Sequence, residues 1–439
     1  MKKLWWYYMR FWVKLAIKLF YRRIEIHGSD TYPRSGPVFL APNHQNAFMD
    51  ALIPSVFAPT PIHFLVRADV FRKPWLAAFL RSLNMMPVYR QRDGMANLAK
   101  NDEIFAKCFE ILRRGDTLLI FPEMTHVGER KLRPLSKGFT RVLFGALKDQ
   151  ENLDIQVVPL GLNYSHYHKS GARLIVNWGQ PIALSDYRNA YAESPARGMA
   201  RLRADVEAAL TEEVVHLPRK EANEAFEIEL ERIIPFYFHR ASGFSAGVGE
   251  MDFYKRRERS LNELPEGHPY FRRIGIYHVK MRDLGLQAPF FFIGSKDAGY
   301  WVLQNLLLLA MLPIFALSWL LMAPSYLLIR GLLRRFIADR QFWSSIKLVG
   351  YLVLFPLFGL LYAGLAAWWS GRPLMGAVAA LVFYPLSVFV IRELRLPYRY
   401  VLSLWRGLWL RWRKPELYSY LVGIESEVLK AYRQLSKRA

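Results

Sequence analysis

Residues 38–50, VFLAPNHQNAFMD, hold the pair of side chains best suited to chemistry, His44 and, six positions later, Asp50. A carboxylate that orients an imidazole and stabilises its protonated form makes a general base. No G-x-S-x-G elbow accompanies the pair, and the only cysteine, Cys108, lies far off in sequence. Such a base would act on a substrate hydroxyl rather than on a nucleophile of the protein. On this stretch alone a loop histidine beside a helix-capping aspartate is equally open. Residues six apart on one α-helix stand roughly 240° apart around its axis. His44 and Asp50 therefore meet only across an irregular turn, with Asp50 near the start of the next helix. Asn43, Gln45 and Asn46 suit such a turn, because their side chains bond nearby backbone.

Three other stretches carry unusual residues. Met86-Pro-Val-Tyr-Arg90-Gln-Arg92-Asp93 is an extended run ending in two arginines. Leu118-Leu-Ile-Phe-Pro-Glu123 is a buried strand that stops at Pro122 and leaves Glu123 at its carboxyl end, where ligands of open α/β sheets collect. Arg130, Lys131, Arg133 and Lys137 follow it closely. Val157-Val-Pro159-Leu-Gly-Leu-Asn163 is another strand reaching a proline. Each has a bland reading as solvated face, turn or strand edge. Arginines near a site suit a phosphate through bidentate charge-assisted bonds. His166 and His168 could share a strand face and bind a metal, but no third ligand stands at a sensible spacing. Glu123 and His126 resemble half of a di-iron motif without the partner glutamates it needs. No metal is therefore expected.

These residues must be positioned by alternating strands and helices. Apolar runs at 37–41, 62–66, 117–121, 155–161 and 172–178 read as strands, and 48–57, 73–83, 95–113 and 137–149 as amphipathic helices. The alternation predicts an α/β fold, a mixed and partly parallel sheet flanked by helices. Cys108 shares the apolar side of the third helix with Ile104, Phe105, Ile111 and Leu112, so it is read as core.

In this order the stretches resemble the glycerolipid acyltransferase family of the bacterial phosphatidate pathway. Its Asn-His and following aspartate match Asn43, His44 and Asp50; its Pro-Val-x-Arg matches Pro87, Val88 and Arg90; its Phe-Pro-Glu-Gly-Thr matches Phe121, Pro122, Glu123 and Thr125; its Val-Pro-x-Gly strand matches Val158, Pro159 and Gly161. FLVRADVFRKP and LSKG at 135–138 resemble two lesser family stretches. Met124 stands where the family has glycine. Five residues separate His44 from Asp50 where four are usual, and with GLNYSHYHKSG this form resembles the fungal-type glycerol-3-phosphate acyltransferase subgroup. The resemblance covers about residues 24–185. It implies acyl transfer from a coenzyme A or acyl carrier protein thioester, as co-substrate and without a bound cofactor. The acceptor would be glycerol 3-phosphate, giving lysophosphatidate; a lyso-lipid acceptor or a non-catalytic lipid-binding role is the alternative. It makes His44 and Asp50 catalytic, Arg90 the first choice for the acceptor phosphate with Arg92, Arg133 and Lys137 behind it, and Glu123 a ligand of acceptor hydroxyls or an orienter of those cations.

The 60 Lys+Arg against 37 Asp+Glu give a net charge of +23. Nucleic acid and anionic membrane are the usual partners of such charge. The basic residues cluster beside long apolar runs and match no nucleic-acid recognition motif, so membrane lipid is expected and nucleic acid is not. Residues 1–23 read as an interfacial amphipathic helix, its apolar side in lipid and Arg10, Lys14 and Lys18 toward headgroups; a helix packed on the protein's own sheet is the alternative. Residues 186–299 read as a helical insert or linker, 300–413 as a helical membrane region, and 414–439 as a soluble amphipathic helix. Charge bias puts both flanks of 348–391 on the cytoplasmic side, as a hairpin turning at Gly371-Arg372-Pro373. With cytoplasmic thioesters, the catalytic domain of this integral membrane protein, expected in a bacterial inner membrane, lies inside. Segment 300–329 is then expected to return to its own side, as a re-entrant or interfacial helix pair broken near Pro313; a single span that violates the charge rule is the alternative.

Overall fold

Val38–Pro42, Thr117–Leu119 and Gln156–Tyr164 are apolar runs buried almost throughout, and they lie side by side in the middle of an eight-stranded sheet. Burial on both faces is what near-continuous apolar strands need. The computed structural model describes residues 2–89, 100–123, 128–148, 150, 152–235, 249–287 and 298–438. The chain divides into two units, Met1–His216 with Asp339–Ser345, and Leu217–Ala338 with Ile346–Ala439.

In the first unit the strands are β1 (Arg23–His27), β2 (Val38–Pro42), β3 (Ile62–Arg67), β4 (Met85–Val88), β5 (Thr117–Leu119), β6 (Gln156–Tyr164), β7 (Arg173–Trp178) and β8 (Ile182–Ala183). Their order is β1-β7-β6-β2-β5-β3-β4, with β8 also on β6. Pairing is parallel except that β6 runs antiparallel to β7 and β8. The sheet is mixed and flanked by helices, as expected. Three strands go beyond the expected set: β1, β4 and the two-residue β8. β1, with two charged residues in RIEIH, is a half-exposed edge strand whose alternation is too short to stand out. β4 sits at the opposite edge, where Pro87 is tolerated.

The helices of this unit are α1 (Lys2–Phe20), α2 (Ala47–Phe57), α3 (Pro74–Ser82), α4 (Lys100–Arg113), α5 (Gly138–Leu147), α6 (Arg188–Glu193) and α7 (Pro195–Glu213). Residues 95–99 of the expected third helix lie outside the described residues. Alternation along the strands splits the core. Phe39, Leu118 and Val157 face a cluster with Ile104, Cys108 and Leu112 of α4, Phe139 and Leu143 of α5, and Leu202, Val206 and Leu210 of α7. Residues of opposite parity, Leu40, Val158, Leu160, Leu162 and Tyr164, line the other face. The boundary expected at 185 moves to 216. Helix α7, read as part of an insert, packs its apolar stripe on the sheet, and Gly161 lets its end approach: a Cβ there would sit 2.1 Å from the Glu213 carbonyl oxygen.

The second unit contains α8 (Lys220–Arg232), α9 (Glu250–Glu263), α10 (Pro269–Asp283), α11 (Ala298–Phe336), most of α12 (Trp343–Trp369), α13 (Pro373–Arg413) and α14 (Pro415–Arg438). Leu421, Val428, Leu429 and Tyr432 of α14 are buried. Glu425 accepts from the Tyr277 hydroxyl of α10 at 2.9 Å. The C-terminal helix is thus part of a helical body with α8–α10, centred on the buried pair of Arg257 Nε and Glu229 Oε2 at 2.6 Å. Among the described residues, three helices are long and apolar enough to cross a membrane. The expected break near Pro313 is not there, and α11 runs unbroken through Pro313 and Pro324. A proline removes one helical hydrogen bond, a loss that apolar, packed helices absorb.

Candidate active site

Because β2, β5 and β6 are parallel neighbours, their carboxyl ends finish along one edge, and three stretches distant in sequence converge there. Pairing continues past the strands: Ile120 N donates to Leu40 O at 3.2 Å, and Asn43 N to Leu160 O at 3.2 Å. The Asn43 side chain then clamps the strand beside it, Nδ2 donating to Leu162 O at 3.1 Å and Oδ1 accepting from Leu162 N at 2.7 Å. Asn43 therefore fixes the exit of the chain toward His44.

The turn after it is irregular, as the 240° argument requires. Ala47 has φ of +46°, in the left-handed region, and Asp50 lies in the first turn of α2. Such a conformation in an L-residue costs about 1–2 kcal/mol and persists when its surroundings hold it. Asp50 does much of the holding. Its Oδ2 accepts from Gln45 N at 2.8 Å, Asn46 N at 2.6 Å and His44 Nδ1 at 2.9 Å. Its Oδ1 accepts from the Tyr164 hydroxyl at 2.6 Å. An ionised carboxylate only accepts, so His44 carries its proton on Nδ1 and its lone pair on Nε2. Burial, with Asp50 nearby, raises the Tyr164 phenol well above its usual range, keeping it a donor. The His44 ring stacks on Phe121, centroids 3.9 Å apart and planes 15° apart.

Glu123 meets the same turn from β5. One oxygen accepts from His44 N at 2.8 Å and the other from Arg133 N at 2.9 Å. Burial pushes its carboxyl up to about 7; the two backbone donors and the Arg133 charge pull it down, and Asp50 pushes it up. Its partners here are thus backbone groups, and it ties the His44 turn to the loop carrying Arg133 and Lys137. Ser136 N donates to Pro122 O at 2.9 Å, which keeps that loop beside the end of β5. Lys137 is exposed just before α5. Arg130 is buried and structural: its Nη2 donates to Tyr164 O at 3.0 Å and Ser165 O at 3.1 Å, over the Tyr167 ring. Arg90, Arg92, Met124, Thr125 and His126 lie outside the described residues.

An acyltransferase family profile matches residues 23–163. The chain carries an acyltransferase domain there. Its relatives include glycerol-3-phosphate O-acyltransferase 1 of Saccharomyces cerevisiae, 32% identical over 88 residues, which are 20% of this chain and 12% of the yeast protein. The 1-acyl-sn-glycerol-3-phosphate acyltransferase of Bacillus subtilis is 22% identical over 116 residues, covering 26% of this chain and 53% of that protein. A crystal structure of the 1-acyl-sn-glycerophosphate acyltransferase of Thermotoga maritima matches with a TM-score of 0.35 and 18% identity, over 48% of this chain and 80% of that one. The chain spans only part of the length of each of these relatives.

Within the acyltransferase domain the structure brings together His44, Asp50, Glu123 and the Arg133 backbone, and sets Lys137 on the adjoining loop. Sequence reasoning missed the brace from Tyr164. It also missed Asn101, whose Oδ1 accepts from Tyr89 N at 3.0 Å and whose Nδ2 donates to Tyr89 O at 2.8 Å, fixing the backbone one residue before Arg90. Tyr164 was open to discovery, because the alternation of β6 puts it on the α2 face.

Proposed function

We propose that the protein moves a fatty acyl group from a coenzyme A or acyl carrier protein thioester to glycerol 3-phosphate, releasing lysophosphatidate. The observation that carries the reading is the bond from His44 Nδ1 to Asp50, made at the carboxyl edge of the sheet. With its lone pair on Nε2, His44 takes the proton of the acceptor hydroxyl as the oxygen attacks the thioester carbonyl carbon. The C–O bond forms, the C–S bond breaks, and the imidazolium proton leaves with the thiolate. Asp50 steadies the imidazolium meanwhile. A thiolate is a good leaving group, so no acyl-enzyme is needed. Arg90 and Arg92, with Arg133 and Lys137, are proposed to hold the acceptor phosphate, and Glu123 to keep the second pair near the base.

Glycerol 3-phosphate is favoured over a lysophospholipid by the five-residue spacing from His44 to Asp50 and by the likeness to the yeast glycerol-3-phosphate O-acyltransferase. Acylation of lysophosphatidate is the second reading, favoured by the likeness to the Bacillus protein. Purified protein given radiolabelled glycerol 3-phosphate or lysophosphatidate, each with palmitoyl-CoA or palmitoyl carrier protein, separates the two. His44→Ala should lower turnover by about 10²–10⁴, the usual worth of a positioned base. Full activity of that variant would refute the assignment of the base.

A further inference from the structure

The catalytic turn is also braced from the far end of the chain. Residues Asp339–Ser345 belong to the acyltransferase unit, although Arg340–Ser345 also open the candidate membrane span Arg340–Trp369. Within this segment Ser344 and Ser345 open α12, and both are buried, 0% and 3% exposed. Ser344 Oγ donates to Asn46 Oδ1 at 2.6 Å. Met49 N donates to Ser345 Oγ at 3.0 Å, sharing its hydrogen with Asn46 O at 3.0 Å. The two hydroxyls thus grip the turn on both sides of Ala47, whose φ of +46° needs holding. What they grip is mechanistically close. The Asn46 backbone N–H is a donor to the Asp50 oxygen that also takes His44 Nδ1, and Met49 directly precedes Asp50.

Asn46 is fully buried, so losing the Ser344 hydroxyl strips its carbonyl of this donor where water does not readily replace it. The turn would then settle elsewhere, and small displacements of a catalytic group cost rate out of proportion to their size. We propose that Ser344 and Ser345 are positioning residues for the His44–Asp50 base, so that the catalytic turn takes its geometry from the start of a candidate membrane helix. The inference rests on the acyl-transfer reading above for its kinetic consequence, though not for its structural one.

The test uses the full chain in detergent or nanodiscs, with Ser344→Ala, Ser345→Ala, their combination, Ser345→Thr and, as a control, Ser387→Ala. Ser387 is a buried serine whose hydroxyl, among the described residues, bonds along its own helix to Phe383 O at 2.8 Å. Two quantities are read: kcat and KM with palmitoyl-CoA and glycerol 3-phosphate, and the rate at which diethylpyrocarbonate modifies His44, followed by peptide mass spectrometry. The double variant should lose about tenfold in kcat, as one lost hydrogen bond's worth of alignment does, with KM little changed. His44 should be modified faster in the double variant, Ser387→Ala should alter neither quantity, and Ser345→Thr, which keeps the oxygen, should stay near wild type. If the double variant does not fold, the single variants are read in the same way. Unchanged kcat in a folded variant overturns the proposal, as does unchanged His44 reactivity. If wild type turns over neither acceptor, the proposed function fails, and His44 reactivity alone decides whether the serines hold the turn.

Discussion

At the scale of the residue, Glu123 is the group whose burial works most visibly against its charge. Its carboxyl is pushed up to about 7 while both oxygens accept backbone hydrogen bonds. A folded-state value above the unfolded one means that the native protein binds the extra proton between about pH 4.5 and 7. Stability from this group is therefore present below that window and declines as pH rises through it. Thermal unfolding of wild type and Glu123→Gln across this range checks the sign. The advantage of wild type over the variant should shrink from the acid end to pH 7 and change little above it. A growing advantage would show that the backbone donors outweigh desolvation. The same balance separates the duties of the two carboxylates: Asp50 has four donors converging on it, whereas Glu123 has two.

At the scale of the element, α1 departs from its expected orientation. The basic residues at i and i+4 were expected to face headgroups. Instead Arg10 donates to Ala58 O at 2.6 Å and Val56 O at 3.3 Å, and Lys14 lies over the Phe57 ring. Both serve the end of α2, where unpaired carbonyls and the helix dipole favour cations. Trp6, Ile17 and Phe20 are buried beneath the helix, while Leu4, Trp5, Tyr8, Phe11, Trp12 and Leu15 remain exposed. One face therefore docks on the protein, and a separate aromatic face stays outward in the manner of an interfacial anchor. Arg10→Ala should cost about 1–2 kcal/mol of stability, since its bonds to carbonyls are charge-assisted and half-buried. It should leave kcat per folded molecule near wild type. Thermal denaturation alongside an activity assay measures both, and an unchanged melting temperature would remove Arg10 from the docking.

At the scale of the whole molecule, the three long apolar helices pack on one another in pairs. Tyr398 of α13 bonds Leu308 O near the start of α11. Ile329 near the end of α11 packs on Gly350 near the start of α12, and Ala366 near the end of α12 packs on Gly376 near the start of α13. The arrangement joins the α11–α12 connection to one corner and the α12–α13 connection to another. Arg330, Arg334, Arg335, Arg340 and Lys347 crowd the first, and Arg372 is the one basic residue in the turn at the second. From this charge bias we infer that α12 and α13 cross as a hairpin with both flanks on the cytoplasmic side. Cys108 is buried, its thiol pushed up to about 12, so the native chain is a quiet background for thiol labelling. Ser370→Cys should react with an impermeant maleimide on intact cells, and Arg335→Cys only after permeabilisation. Labelling of Arg335→Cys from outside would replace the hairpin with three full crossings.

The sequence by itself determined the strands that end at the site, the Asn43–His44–Asp50 turn and its irregularity, the Glu123 position at a strand terminus, and the three apolar segments. These follow from periodicity, turn chemistry and helix geometry, all of which act over a few residues. Only the tertiary structure decided which donors surround Asp50. Tyr164 stands 114 residues from it and reaches it because β6 lies next to β2. Ser344 reaches Asn46 across 298 residues, and no local pattern marks a serine at a helix start as a partner for a turn so distant. The same holds for Arg10, whose helical spacing revealed a basic stripe but not the carbonyls of α2 waiting beneath it. Local patterns specify what an element can offer, and the order of packed elements decides which offer is taken.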